Sequence, residues 1–205
     1  MVFVDPDGED SWEINRKGVI TYKNDKDDSN EYRLYSLDSD NNRTQQYVSV
    51  KDRELLDAFV DKKGLSSFST AKNINDIFKV FLFAADNTDV EWVIHRSADN
   101  IYTLGTIHED SRAGNWSNYN ISYPISSVHS HPNVSESIKE ESISMGLDWE
   151  VVKVDYETYS DRSRLNYIYF PKSKRLYYLG RNGYSIIRTI DNDYKRFYFG
   201  TLNHR

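Results

Sequence analysis

The sequence contains no cysteine among its 205 residues. A disulfide framework, a thiolate metal site and a cysteine nucleophile are therefore all excluded. No apolar run approaches the roughly 18–20 residues that a membrane-spanning helix needs. The first ten residues, MVFVDPDGED, have neither the basic nor the apolar segment of a signal peptide. We therefore expect no membrane span, and the abrupt start resembles a piece taken from a longer chain.

The 32 acidic residues outnumber the 26 basic residues, and the formal net charge is −6. No stretch concentrates Lys and Arg as phosphate contacts require, so nucleic acid is not the expected partner. Hydrophobic residues make up 38% of the chain, enough for one large domain or two small ones. Sixteen tyrosines, many in alternating runs, favour strands.

The first part of the chain is typical of a small antiparallel β-rich region. Two short β-prone runs flank Arg16 and Lys17, and Gly18 is available for a positive φ. A helix is then expected from Ser49 and Asp52, at capping-box spacing, to Gly64. The Ser-rich stretch LSSFSTAK is interpreted as a connection. It suggests a division into an N-terminal region at 1–70 and a second domain at 71–205.

The second part predicts an α+β fold with a mixed sheet flanked by helices. An apolar stripe at helical spacing begins near Asn73 and predicts a well-buried helix. The polar run SESIKEESISMG is expected to be a short helix or a loop, and LDWEVVKVDYETY a helix. The strands are expected in VEWVIHR, IYTLGTIH, YNISYPISSVHSHP, NYIYF, RLYYLG, YSIIRTI and YKRFYFG.

Two of the five histidines fall in one tetrapeptide, His-Ser-His-Pro, at the end of an apolar run. Residues two apart in a strand project to the same side, so His129 and His131 share a face with Cα atoms roughly 6–7 Å apart. That spacing suits two imidazoles on one metal ion, and Pro132 would end the strand pairing there. Without cysteine, a third ligand would be a carboxylate or another histidine. The alternative is two surface histidines on an edge strand.

A second group of possible ligands lies earlier in the chain. His95 ends one predicted strand, and His108, Glu109 and Asp110 end the next. We interpret these residues as solvated strand ends rather than as a metal site.

The His-Ser-His-Pro tetrapeptide after an apolar strand, with a Glu in an earlier strand that follows a helix, resembles the JAMM (JAB/MPN-type) metalloproteases over about residues 73–180. This resemblance implies a mixed sheet flanked by helices and zinc-dependent hydrolysis of peptide or isopeptide bonds. It makes His129 and His131 metal ligands and Glu91 the general base.

The Ser-x-x-Asp part of the JAMM signature is absent at its usual spacing. The nearest equivalent is SMGLD, in which three residues instead of two separate Ser144 from Asp148. The resemblance then implies that Asp148 is the third ligand and that Ser144 stabilises the oxyanion. Glu140, Glu141 and Asp155 remain alternative ligands.

The stretches DSWEINRKGVITYKN, FKVFLFAADNTDVEW and YIYFPKSKRLYYLG resemble the C-terminal regions of Rhs-type polymorphic toxins of the JAB-like group. This resemblance implies a secreted or delivered effector with Zn²⁺, a protein or peptide substrate and an immunity protein as partner. Two other functions stay open: a JAB-like module that binds a partner without cutting, and a nuclease with a histidine-rich metal site. Oligomeric state is not indicated.

Overall fold

The structure, a computed structural model, describes residues 10–24, 32–70, 74–112, 116–120, 124–146, 148, 165–180 and 183–190. This part of the chain forms two β-sheets with three helices and one 3-10 turn. The α+β prediction is confirmed, with a mixed sheet flanked by helices and a β-rich N-terminal region. None of the helices in the described ranges is long and apolar enough to cross a membrane.

The N-terminal sheet has four strands in the order β2-β1-β3-β4. The β1–β2 and β3–β4 pairs are antiparallel as expected, whereas β1 and β3 run parallel. Gly18 in the β1–β2 turn has the expected positive φ, 74°. The strands are β1 Asp10–Ile14, β2 Ile20–Asn24, β3 Tyr32–Leu37 and β4 Arg43–Val50.

The helix after β4 is shorter than its sequence predicts. α1 spans only Arg53–Asp57, with the Asp52 side chain accepting a hydrogen bond from the Glu54 amide at its start. The prediction that it continues to Gly64 is wrong, because Val60 bridges to Ile20 of β2 instead. Pairing with the sheet outweighs the helical preference of this apolar stretch.

The second sheet has seven strands in the order β11-β10-β9-β8-β6-β7-β5. All its pairs are antiparallel except β8–β9, which is parallel. Its strands are β5 Ser66–Thr70, β6 Val93–Ser97, β7 Tyr102–Thr106, β8 Pro124–Ser130, β9 Leu165–Phe170, β10 Arg175–Gly180 and β11 Gly183–Thr189. The strand β8 therefore lies in the middle of the sheet.

The helix α2, Ile74–Asn87, covers one face of the seven-stranded sheet. It begins within a residue of the predicted start and buries the predicted apolar stripe, including Ile77 and Phe81. The residues beneath it project from alternate positions of the central strands. They include Ile94, Leu104, Val128, Tyr167 and Tyr169, which form one buried cluster with α2.

The N-terminal sheet shares this cluster, because Trp12, Ile14 and Leu34 belong to it. The Ser-rich stretch interpreted as a connection forms β5, an edge strand of the larger sheet. The division at residue 70 stays a prediction, with β5 lying on its N-terminal side and pairing with β7 on the other.

The second face of the seven-stranded sheet carries the 3-10 turn Trp116–Tyr119 and a helix, α3, at 138–146. Residue 148 is also helical. Met145 of α3 packs on Ile168, Phe170, Tyr177 and Leu179 in a separate small cluster. The polar run SESIKEESISMG is thus helical from Ile138 to Gly146. Most of LDWEVVKVDYETY and all of YKRFYFG lie outside the described residues.

Candidate metal centre

The two motif histidines extend from the central strand of the larger sheet. His129 is the penultimate residue of β8, opposite Val93 of β6 and beside Ile168 of β9. The amide of His131 donates to the carbonyl of Tyr169 at 2.9 Å, which continues the pairing by one step. Pro132 has no N–H to donate, so the pairing ends there. The surface-edge interpretation is wrong, because β8 is paired on both sides.

The side chains of His129 and His131 converge as expected for residues on one strand face. Their Nε2 atoms lie 2.9 Å apart, and their ring centroids are 4.9 Å apart. Two nitrogen ligands on one tetrahedral metal ion, each at 2.0–2.1 Å, are separated by about 3.3 Å. The histidine pair therefore needs only a few tenths of an ångström of adjustment to hold an ion.

The third group is the carboxylate of Asp148, a helical residue just after the described end of α3. Its Oδ2 lies 3.1 Å from Nε2 of His131, and its Oδ1 lies 3.6 Å from Nε2 of His129. One ligand atom from each of His129, His131 and Asp148 lies within 4.8 Å of the others. Among the residues that the structure describes, this is the group of His, Asp and Glu side chains that could hold a metal ion.

The donor set fits a divalent metal better than it fits a hydrogen-bonded cluster. Oδ2 of Asp148 is buried, yet within the described residues it accepts no hydrogen bond of good geometry. A buried carboxylate oxygen without a donor is costly unless an ion satisfies it. Two imidazole nitrogens and a carboxylate oxygen with an open fourth position are an ordinary set for zinc.

The carboxyl of Asp148 is ionised in this environment. Burial acts to raise its pKa, but the adjacent imidazoles of His129 and His131 outweigh burial and hold the pKa well below its usual range. An anionic carboxylate is the form that ligates metals.

The departure of one residue from the signature does not separate Ser144 from Asp148. The two residues are four positions apart, and both side chains contact His131. The hydroxyl oxygen of Ser144 lies 2.7 Å from Nδ1 of His131. Ser144 therefore contacts the ring nitrogen of His131 that faces away from Asp148.

Glu91 lies two residues before β6 and is 5% exposed. The pairs Val93–His129 and Ile94–Val128, continued by the hydrogen bond from the Ser130 amide to the Trp92 carbonyl, place Glu91 across from His131. By the alternation of strand residues, Glu91 is on the same sheet face as the histidines. Its main chain is fixed on both sides, by the Glu109 carbonyl at 2.8 Å and the Thr106 hydroxyl at 2.8 Å.

The alternative carboxylates are not brought to the histidines by the described structure. Glu140 is exposed, whereas Glu141 is buried against Arg175 and Tyr177 of β10. Asp155 lies outside the described residues.

The second group proposed as solvated strand ends is only partly solvated. His95 is buried, with Nδ1 2.7 Å from the hydroxyl of Ser127, so that interpretation is wrong for His95. His108 lies between the carbonyl of Lys17, at 3.1 Å, and the hydroxyl of Ser66, at 3.1 Å. Both histidines therefore connect neighbouring segments of the chain. Glu109 and Asp110 are exposed, as expected.

The aromatic wall of the centre was missed in the sequence. The ring of Phe170 packs 5.4 Å from that of His131, and Tyr177 packs edge-on against Phe170. Both aromatic residues stand in β-prone runs with no chemical signature. The available signal was register: β9 follows β8 in parallel, which sets Phe170 beside His131.

The comparisons with known proteins gave a match to a family model. No curated protein and no solved structure gave a match. The model of the family JAB-like toxin 1 matches residues 69–164. The matched stretch contains Glu91, His129, His131, Ser144 and Asp148. This match supports a JAB-like toxin domain at residues 69–164.

Proposed function

We propose that this chain is a zinc-dependent metallopeptidase or isopeptidase of the JAMM type, acting as a toxin effector. The observation that carries the proposal is the convergence of His129, His131 and Asp148 from a central strand and a separate helix. A bound Zn²⁺ would polarise an amide carbonyl and lower the pKa of a water molecule.

Glu91 is the general base in this proposal. It stands across from His131 by strand register and on the same face as both histidines. Its carboxylate takes a proton from the water that attacks the carbonyl carbon. It then delivers that proton to the leaving amine as the C–N bond breaks. The oxygen is added to the acyl product, so the reaction needs no other reactant.

Ser144 supports the centre through His131. A neutral His131 that offers the Nε2 lone pair carries its proton on Nδ1, and that N–H can donate to the Ser144 hydroxyl 2.7 Å away. Stabilisation of the oxyanion by Ser144 remains a second proposed role. That role would require the same hydroxyl to donate toward the substrate.

The remaining features of the function follow from the toxin family and the sequence resemblance. We propose that the domain is delivered as the C-terminal part of an Rhs-type bacterial protein, with a protein or peptide substrate. An immunity protein would then bind the domain to protect the producing cell. The acidic net charge argues against a nucleic-acid target.

A metal-free binding module is the alternative function. The departure from Ser-x-x-Asp favours it, and so does the engagement of Ser144 with His131 rather than with an open site. In that case the histidines and Asp148 would form a polar cluster on an inherited scaffold, and a partner would bind without being cut.

Metal analysis of the purified full chain tests the proposal. Wild type and a His129→Ala, His131→Ala double variant are loaded with zinc and dialysed, and bound metal is measured by elemental mass spectrometry. We expect about one zinc per wild-type chain and none in the double variant. Wild-type protein that retains no metal sinks the hydrolase proposal and leaves the binding module.

The catalytic role of Glu91 is tested separately from metal binding, with a variant that keeps all three proposed metal ligands. Glu91→Gln should bind zinc like wild type but lose hydrolysis of ubiquitin-like and peptide substrates, by about 10²–10⁴-fold. Retained hydrolysis in this variant would remove Glu91 from the mechanism while leaving the metal centre in place.

A further inference from the structure

Glu141 of α3 is a fully buried acidic residue, 0% exposed. Its Oε2 accepts a hydrogen bond from the Arg175 guanidinium at 2.6 Å and another from the Tyr177 hydroxyl at 2.6 Å. Arg175 also donates to the carbonyl of Glu136 at 3.2 Å, just before α3 begins. Polar contacts from β10 therefore fasten the first turn of α3 and the chain that leads into it.

This buried ion pair is a costly way to attach a helix. Oε1 of Glu141 is buried and finds no hydrogen-bond partner in the described ranges. Apolar residues of similar volume often stabilise a fold as well as a buried ion pair does. Unlike apolar contacts, the two hydrogen bonds fix the orientation of the Glu141 side chain, because Oε2 must meet two donors of fixed position.

By fixing Glu141, these contacts fix the orientation of α3, and the position of Asp148 depends on that orientation. Asp148 lies seven residues after Glu141 and two residues after the described end of α3, and residue 148 is itself helical. Met145 stands between them and packs on the sheet with Ile168 and Tyr177. A rotation or shift of α3 at Glu141 would move Asp148 away from the two histidines.

The main chain of His129 and His131 is held by the sheet and not by α3. His129 lies in β8, which is paired with β6 and β9. Asp148, in contrast, lies on the segment that follows α3. The alignment of α3 therefore decides whether Asp148 stands beside the two histidines.

We infer that Glu141 is a positioning residue, whose attachment to Arg175 and Tyr177 orients α3 so that Asp148 completes the metal centre with His129 and His131. This inference deepens the proposed function and rests on it where a bound metal is concerned. It also replaces the alternative role of Glu141 as a direct metal ligand.

Zinc affinity of the full-length chain tests the inference, measured by competition with a chromogenic chelator. Glu141→Gln removes the charge that holds Arg175, and Tyr177→Phe removes only one hydroxyl. Residues that orient metal ligands typically contribute 10–100-fold to affinity, so we expect losses of about that size. Glu140→Gln is the matched control, with the same change at the adjacent exposed position, and should bind zinc like wild type.

Co²⁺ loading supplies a spectroscopic signature of the ligand set. The visible absorption of Co²⁺ should change in Glu141→Gln, because a carboxylate ligand is displaced, and should be unaltered in Glu140→Gln. Wild-type affinity and wild-type spectra in folded Glu141→Gln and Tyr177→Phe would overturn the inference and leave the proposed function intact.

Hydrogen exchange in metal-free protein tests the positioning role of Glu141 independently of the proposed metal binding. Even if wild type binds no metal, residues 138–146 should exchange faster in Glu141→Gln than in Glu140→Gln, with strands β9 and β10 unaffected. Equal exchange across 138–146 in the two variants would overturn the positioning role. If Glu141→Gln fails to fold, Tyr177→Phe carries the same affinity and exchange measurements.

Discussion

The hydroxyl oxygen of Ser144 lies 2.7 Å from Nδ1 of His131, although thirteen positions separate the two residues in the chain. This contact ties the helix that supplies Asp148 to the strand that supplies the histidines. When the Ser144 hydroxyl accepts from His131, the proton of the neutral ring is on Nδ1. The Nε2 atom is then left with its lone pair toward Asp148 and His129.

Replacing Ser144 by Ala should weaken zinc binding about tenfold, the lower end of the range for groups that orient a metal-ligating histidine. The ring of His131 would lose its acceptor and turn more freely. The measurement is a chelator competition at neutral pH. Ser142→Ala is the control, because the Ser142 hydroxyl bonds the Ile138 carbonyl within its own helix. Equal affinities for the two variants would contradict the orienting role.

Changing Asp148 to Asn should lower zinc affinity by at least tenfold, since a neutral amide replaces an ionised ligand. The side chain keeps its size, so the fold should be retained. Isothermal titration with zinc makes the measurement. Asp110→Asn, an exposed site with the same charge change, is the comparison. A wild-type titration curve for Asp148→Asn would transfer the third-ligand role to another carboxylate.

The sequence predicts a structural feature when the residues that form it are close together in the chain. Alternation within one strand placed His129 and His131 on a common face, and helical spacing placed α2, because both signals lie in adjacent residues. The Glu141 attachment could not be read in the same way. It joins α3 to β10 across more than thirty residues of chain, and only the sheet order brings them together.

The extent of α1 and the nature of β5 show the same limit. An apolar stripe predicted helix through Val60, but Val60 meets Ile20 on a strand forty residues earlier. Ser66–Thr70 has few strand-forming residues, and pairing with β7 makes it a strand. In both cases a distant partner outweighs the local preference.

The substitution Gly18→Ala should destabilise the protein by about 1–3 kcal/mol. Gly18 has a φ of 74°, and an added Cβ would stand 2.7 Å from the Val90 Cγ2 atom. Urea unfolding followed by circular dichroism gives the change in free energy. Gly64→Ala is the matched control, because nothing lies within 4 Å of a Cβ built there. Equal free energies of unfolding for Gly18→Ala and Gly64→Ala would show that the turn accommodates the added methyl group without loss of stability.

Protonation of His108 should destabilise the fold in mild acid. Burial lowers its pKa below the ordinary value, only partly offset by the Lys17 carbonyl that accepts a hydrogen bond from it. The unfolded chain therefore binds the proton more readily than the folded chain. The stabilising contribution is complete above about pH 6.5 and is lost as the pH falls toward the lower, folded-state pKa.

The measurement compares wild type with His108→Gln by thermal unfolding at pH 7.5 and pH 5.5. Wild type should lose more stability between these pH values than the variant, which has no titrating ring at this position. Parallel pH profiles would mean that protonation of His108 is tolerated equally in both states.

The stretch matched by the family ends at residue 164, before the strand that supplies Phe170 and the strand that supplies Arg175 and Tyr177. A fragment cut at that boundary would carry every residue of the motif, yet it would expose the apolar edge of β8 and the underside of α3 to water. Exposed surfaces of this kind favour aggregation. The folded unit that contains the candidate metal centre is therefore larger than the segment that the motif defines.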